Sequence, residues 1–195
     1  MKKRFLLTTI SMLAFIWSSY AQKPGYQIIV QIPNMKDSTC YLARYYGDKQ
    51  YLIDTVKSDN QGIAVFEGKT KLPGGIYLFV YPDKHYFEMI VDKEQYFTME
   101  TSWNDPISDM TVKGSKDNQL FYDYLKNAIS IQKASAQLTE SLKTAKTKTD
   151  STAIIDQLKA NDTKLNSSRD DYVKEHPETF LAKVFTTMKE PEVPK

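Results

Sequence analysis

The chain has one cysteine and two histidines among its 195 residues. Cys40 cannot close an internal disulfide, and without a second cysteine there is no Cys-x-x-Cys redox pair. His85 and His176 stand far apart, so neither a His-x-x-x-His motif nor a Cys/His cluster offers zinc ligands. Glycine is scarce, with seven residues. Gly74-Gly75 is too short to cradle a phosphate, and no Gly-rich loop leads into a helix with Lys and Ser or Thr. A Gly-x-Ser-x-Gly nucleophile elbow is also missing. Charge of one sign is lacking too: the formal net charge is +2, which gives no electrostatic case for nucleic acid. The sequence therefore assigns no catalytic residue, no metal ligand and no cofactor. The carboxylates Asp54, Asp59, Glu88, Asp92 and Glu94 fall on expected strand edges and turns, where such groups are ordinarily solvated.

Long apolar runs are confined to the N-terminus. Lys2, Lys3 and Arg4 precede the mostly apolar stretch Phe5 to Trp17. Ser19-Tyr20-Ala21 then sets small residues at both key positions of a cleavage site between Ala21 and Gln22. This is the three-part layout of a secretory signal peptide. The stretch is shorter than the about 20 apolar residues of a comfortable membrane span. A cleaved leader over residues 1–21 is expected, with the mature protein in the periplasm or cell envelope and no membrane span after cleavage. Loss of three cations takes the charge from +2 to −1. In an exported chain the lone Cys40 is a buried small hydrophobe, a free thiol or half of an intermolecular bridge; burial is the commonest fate of an unpaired cysteine. The sequence does not fix the oligomeric state.

What is present divides near residue 114. Before it the chain is rich in aromatic and β-branched residues punctuated by turns. The strands expected are Tyr26 to Ile32, Thr39 to Tyr46, Tyr51 to Val56, Ile63 to Glu67, Ile76 to Tyr81, Tyr86 to Val91, Tyr96 to Glu100 and a short one at Met110 to Lys113. Ser58 to Gly62 reads as the turn of the clearest hairpin, and Asp92 to Gln95 as the turn of another. Ile76 to Tyr81 is almost unbroken in its apolar character, as in a central strand covered on both faces. Seven or eight short strands at this spacing predict an antiparallel β-sandwich or open barrel over residues 22–114.

After residue 114 the pattern is helical. Ser115 is a good N-cap, and Phe121, Leu125, Ala128, Ile131, Leu138 and Leu142 recur on one stripe. Lys143 to Thr149 reads as a loop, with Asp150 or Ser151 capping a second helix. That helix has a thin stripe (Ile154, Ile155, Leu158, Leu165, Tyr172) and should be covered on one side only. Two long helices joined by a short loop pack antiparallel. His176-Pro177 stops the second helix, and Pro177 is placed to open a third. Phe180, Leu181, Val184, Phe185 and Met188 give that third helix a strong apolar face. The expected class is α+β: a β-sandwich or barrel, then a helical hairpin and a short third helix over residues 115–195.

Two groups of residues invite a ligand-binding reading. His85, in a turn beside Tyr81 and Tyr86, can bind a ligand or act as a base; it can equally be a turn residue whose ring packs on tyrosine. Tyr45, Tyr46 and Tyr81, with Tyr41, Tyr51 and Tyr77, can form an aromatic platform for a sugar or other small ligand. Aromatics at strand spacing also serve as core and cross-strand pairs.

The order of several stretches resembles the N-terminal half of the exported thioredoxin-like thiol-disulfide oxidoreductases of the Bacteroidota. The stretches are Val56-Lys57-Ser58-Asp59-Asn60-Gln61-Gly62 leading to Phe66, Leu72-Pro73-Gly74-Gly75-Ile76-Tyr77-Leu78, Val112-Lys113-Gly114-Ser115-Lys116-Asp117-Asn118, and His176-Pro177-Glu178-Thr179-Phe180-Leu181-Ala182 through Pro194. The resemblance implies a signal sequence, a β-rich domain of unknown function and a helical connector. The catalytic Cys-x-x-Cys of that family belongs to a thioredoxin-fold domain that would begin beyond residue 195, so no family catalytic residue maps here. The implied role is a non-catalytic binding or scaffolding module. Its partner would be a protein or a thioredoxin-fold domain, in cis or in trans. A carbohydrate- or small-ligand-binding protein using the Tyr-rich β face is the alternative.

Overall fold

The computed structural model describes residues 25–188. The expected leader, with its cleavage at Ala21 and Gln22, and the proline-bearing end after Met188 lie outside the described residues. Eight strands come first: β1 (Tyr26–Gln31), β2 (Thr39–Tyr46), β3 (Lys49–Lys57), β4 (Ile63–Gly68), β5 (Gly75–Val80), β6 (Tyr86–Val91), β7 (Tyr96–Glu100) and β8 (Thr111–Lys113). They form two four-stranded sheets, ordered β4-β1-β7-β8 and β3-β2-β5-β6. Three helices follow: α1 (Lys116–Thr144), α2 (Lys148–Glu175) and α3 (Phe180–Thr187).

Period-two alternation puts one face of each sheet into a shared core. Ile28, Val30, Phe66, Phe97 and Met99 from the first sheet meet Cys40, Leu42, Tyr77, Phe79, Phe87 and Met89 from the second. Phe66 and Phe79 touch edge-to-face across the gap, with ring centres 6.1 Å apart. Full burial of one such side chain contributes about 1.5–3 kcal/mol. Cys40 belongs to this core, and its thiol donates to the Val56 carbonyl at 3.6 Å. In β5, Leu78 and Phe79 point to opposite faces and both are fully buried, as expected for a central strand.

Two expected hairpins are instead crossings between sheets. β3 pairs with β2 and β4 with β1, so the Ser58–Gly62 turn carries the chain from one layer to the other. The turn is anchored to the end of β1. The buried Ser58 hydroxyl donates to the Met35 carbonyl and accepts from the Ser38 amide, while the Ile32 amide donates to the Gly62 carbonyl at 2.9 Å. Likewise β6 and β7 lie in different sheets. The buried Gln95 side chain binds the backbone of Leu72 and Asp92 at that crossing. A further departure from the purely antiparallel expectation is the β1–β7 pair, which is parallel. Every other pairing is antiparallel. Parallel neighbours need a long connection, and here five intervening strands supply it.

Ser115 caps α1 as expected, its hydroxyl accepting from the Asn118 amide at 3.2 Å. α1 runs through Lys143 and Thr144, and α2 starts earlier than Asp150 or Ser151 because the Thr147 hydroxyl caps it. Pro177 does not open α3. Thr179 does, accepting from the Ala182 amide at 3.2 Å, so Pro177 stays in the preceding turn. The long helices lie antiparallel: Tyr124 meets Tyr172, and Asn161 donates to Ser135 at 3.0 Å. Tyr172 is the one buried residue of α2, which leaves the rest of that helix thinly covered.

Candidate functional site

The helices are fixed to the sandwich at β6, the outer strand of its sheet. Alternate residues of an edge strand point their backbone groups away from the neighbouring strand, and those groups need partners. The Asn118 side chain supplies them: its Oδ1 accepts from the Ile90 amide at 2.7 Å and its Nδ2 donates to the Ile90 carbonyl at 2.6 Å. One turn along α1, the Tyr122 hydroxyl donates to the Glu88 carbonyl at 2.7 Å. Burial, then the charges of Tyr81 and Glu88, hold the Tyr122 phenol well above its ordinary pKa. Lys126 donates to the Met110 carbonyl at 2.6 Å and ties the same helix to the loop before β8.

Docking at β6 and beside β8 leaves a cleft of about 580 Å³ between the sheet and the helices. Spacing explains its walls. Ile76 and Ile90, cross-strand partners on β5 and β6, form the sheet wall, with Glu88 beside them. On α1, Phe121, Leu125 and Ala128 share one stripe; on α3, Leu181, Val184 and Phe185 share another, continued by Met188 at its C-cap. On α2, Leu165 and Arg169 are four residues apart and face the same space. Behind the cleft Phe185 packs on Tyr124 and Tyr172, with ring centres 5.2 and 5.8 Å away. The Arg169 guanidinium sits 5.7 Å from the Phe185 ring centre, in cation–π range.

The lining holds no Ser, Thr, Cys, Lys or His. Its polar side chains are those of Glu88, Tyr124, Gln132, Asn166 and Arg169. A concave, largely apolar space of about 300–1,000 Å³ with a few polar groups is the usual form of a ligand site. Such a lining can take up an apolar group. Among the described residues no cluster of His, Cys, Asp and Glu is arranged to hold a metal ion.

The residues singled out in the sequence are not gathered in one place. Tyr81 and His85 meet: their rings stack with centres 3.7 Å apart, and Trp103 stands edge-on to both. The His85 Nδ1 pairs with the Asp83 carboxylate within the turn. Tyr81 is fully buried, and burial raises its phenol pKa, with Asp83 adding to the effect. Tyr77 is equally buried, which removes two of the six tyrosines from any open platform. Tyr45 and Tyr46 lie on opposite faces of β2. Tyr45 is half-buried near Tyr86 and Glu88; burial first, then the hydrogen bond with Tyr86, pushes its pKa up to about 12. Tyr46, 69% exposed, projects with Tyr51 from the end of the β2–β3 hairpin, the two rings edge-to-face at 6.1 Å.

The cleft itself was not singled out. The α1 and α3 stripes are visible in the sequence, but they read there as helix packing. Arg169 gave one signal, its place four residues after Leu165 on a thin stripe.

Residues 26–121 match the model of a domain of unknown function, DUF4369. The matched segment takes in all eight strands and continues through Phe121, so it includes Asn118 on the first turn of α1. That range agrees with the geometry, because the start of the helix completes the edge of β6. No curated protein matches the chain. A solved structure, the 5-hydroxyisourate hydrolase of Klebsiella pneumoniae, aligns at 10% identity and a TM-score of 0.28, covering 50% of this chain and 97% of its own. So slight a likeness does not bear on fold or activity. Among the described residues no helix is long and apolar enough to cross a membrane.

Proposed function

We propose that this chain is a non-catalytic binding or scaffolding module of the periplasm or cell envelope. It works with a thioredoxin-fold partner, supplied in cis or in trans, and itself neither reduces nor oxidises a disulfide. The observation that carries the binding reading is the apolar cleft at the junction of the matched segment and the helices. Its lining contains recognition groups and no nucleophile beside a base. Cys40 fits a structural role: burial pushes its thiol pKa up to about 11, away from the range of reactive cysteines. The signal-like layout of residues 1–21 in the sequence and the order of family-like stretches support the location and the redox partner.

Two measurements test this. In an insulin-reduction assay the purified chain is expected to give no turnover above buffer; appreciable turnover overturns the non-catalytic reading. A neutral environment-sensitive dye such as N-phenyl-1-naphthylamine is expected to bind at one site. Ala128→Trp, which fills the cleft from the α1 wall, is expected to abolish that binding while leaving the far-ultraviolet circular dichroism unchanged. Dye binding that survives Ala128→Trp in a folded protein removes the cleft from the account.

A further inference from the structure

We infer that the cleft takes a single-chain amphiphile with a carboxylate head, the head meeting Arg169 and the chain lying along the apolar walls. This rests on the binding reading of the cleft and names the chemistry of its ligand. Arg169 is a fixed positive charge at the α2 wall, and it forms no ion pair with any carboxylate of the described residues. Its recorded contact is the Phe185 ring, which holds the guanidinium over the cleft while leaving its in-plane donors available. A planar donor fork of this kind suits a carboxylate. The opposite wall carries Glu88, whose negative charge disfavours the head at that end. The two charges therefore give the ligand a direction: anion toward α2, chain toward Ile76, Ile90 and Leu125. An uncharged chain satisfies the walls but leaves Arg169 without an anion, and a cationic head is repelled by Arg169.

The test compares dodecanoate with dodecan-1-ol, which share a chain and differ in the head, by titration calorimetry on the purified chain. Arg169 lies at the exposed rim, so the advantage of the acid is that of a solvated ion pair, about fivefold in affinity. Raising the ionic strength should narrow it. Arg169→Gln should bring the acid down to the alcohol and leave the alcohol unchanged, and Arg169→Lys should restore part of the difference. Amide shifts on adding dodecanoate should centre on Phe121, Val184 and Phe185, which locates the site even if Ala128→Trp fails to fold. Equal binding of acid and alcohol by the unmodified chain overturns the head-group inference while the cleft remains a binding site. Binding of neither compound overturns the ligand class, and the separate dye measurement then decides whether the cleft binds apolar groups at all. Shifts centred away from the three named residues also overturn the inference.

Discussion

Asn118 stands in for a missing strand: its side-chain amide makes both the hydrogen bonds that a neighbouring strand would offer Ile90. The same Nδ2 also donates to the Ser115 hydroxyl at 3.0 Å, so the N-cap of α1 and the outer edge of β6 share one side chain. This closes an edge that would otherwise be open to another chain. It also fixes the start of α1 against the sheet, beside the cleft.

Asn118→Ala removes that junction and leaves a buried amide and carbonyl of Ile90 without partners. An unsatisfied buried group costs about 1–3 kcal/mol, so a loss of about 2–4 kcal/mol is expected in urea unfolding. Tyr122→Phe removes one hydroxyl bond to Glu88 and should cost about 1 kcal/mol. Equal effects from the two substitutions would show that Asn118 does not hold the junction.

Gly62→Ala tests the first crossing between sheets. Gly62 has φ +78°, and an added Cβ would lie 2.0 Å from the Ile32 carbonyl oxygen. Backbone must move to admit it, beyond the about 1 kcal/mol that a left-handed conformation asks of a residue with a side chain. Destabilisation of about 2 kcal/mol or more is expected, measured as a shift in the urea midpoint.

Cys40 should be chemically silent in the folded protein. With its pKa near 11, only about a thousandth of the thiol is thiolate at pH 8. An aromatic disulfide reagent is expected to label no cysteine under native conditions and one per chain in denaturant. Rapid native labelling would show that the β2–β3 edge opens.

Stability should fall at high pH. The phenols of Tyr45, Tyr81 and Tyr122 are all held above their ordinary value, chiefly by burial. In the unfolded chain they ionise near about 10. Above that pH the unfolded state binds fewer protons than the folded one, so ∂ΔG/∂pH is negative. The stabilisation is fully present below about pH 10 and is lost as pH rises through the folded-state values. Thermal unfolding midpoints from pH 8 to 11 check this; a curve that keeps rising above pH 10 would contradict it.

The strands and helices were legible because each depends on local chemistry. Aromatic and β-branched runs between turns marked the strands, and Ser115 marked the start of α1. The exact helix starts were less legible: Thr147 caps α2 where Asp150 or Ser151 was expected, and Thr179 caps α3 while Pro177 stays in the preceding turn. The turns at Ser58–Gly62 and Asp92–Gln95 misled because a turn sequence sets how tightly the chain bends and not which sheet it enters next. That choice belongs to distant partners, Met35 and Ile32 for the first and Leu72 for the second.

The amino-acid sequence alone determined the α+β class, the change from strands to helices near residue 114, the burial-prone Cys40 and the lack of a dithiol or zinc motif, since composition and short-range periodicity suffice for these. Tertiary structure decided the parallel β1–β7 pair, the burial of Tyr77 and Tyr81, and the cleft that joins Arg169 to Ile76 and Phe185. Those relations link residues on different elements of the chain. They exist only once two sheets and three helices have found a common way to bury their apolar faces.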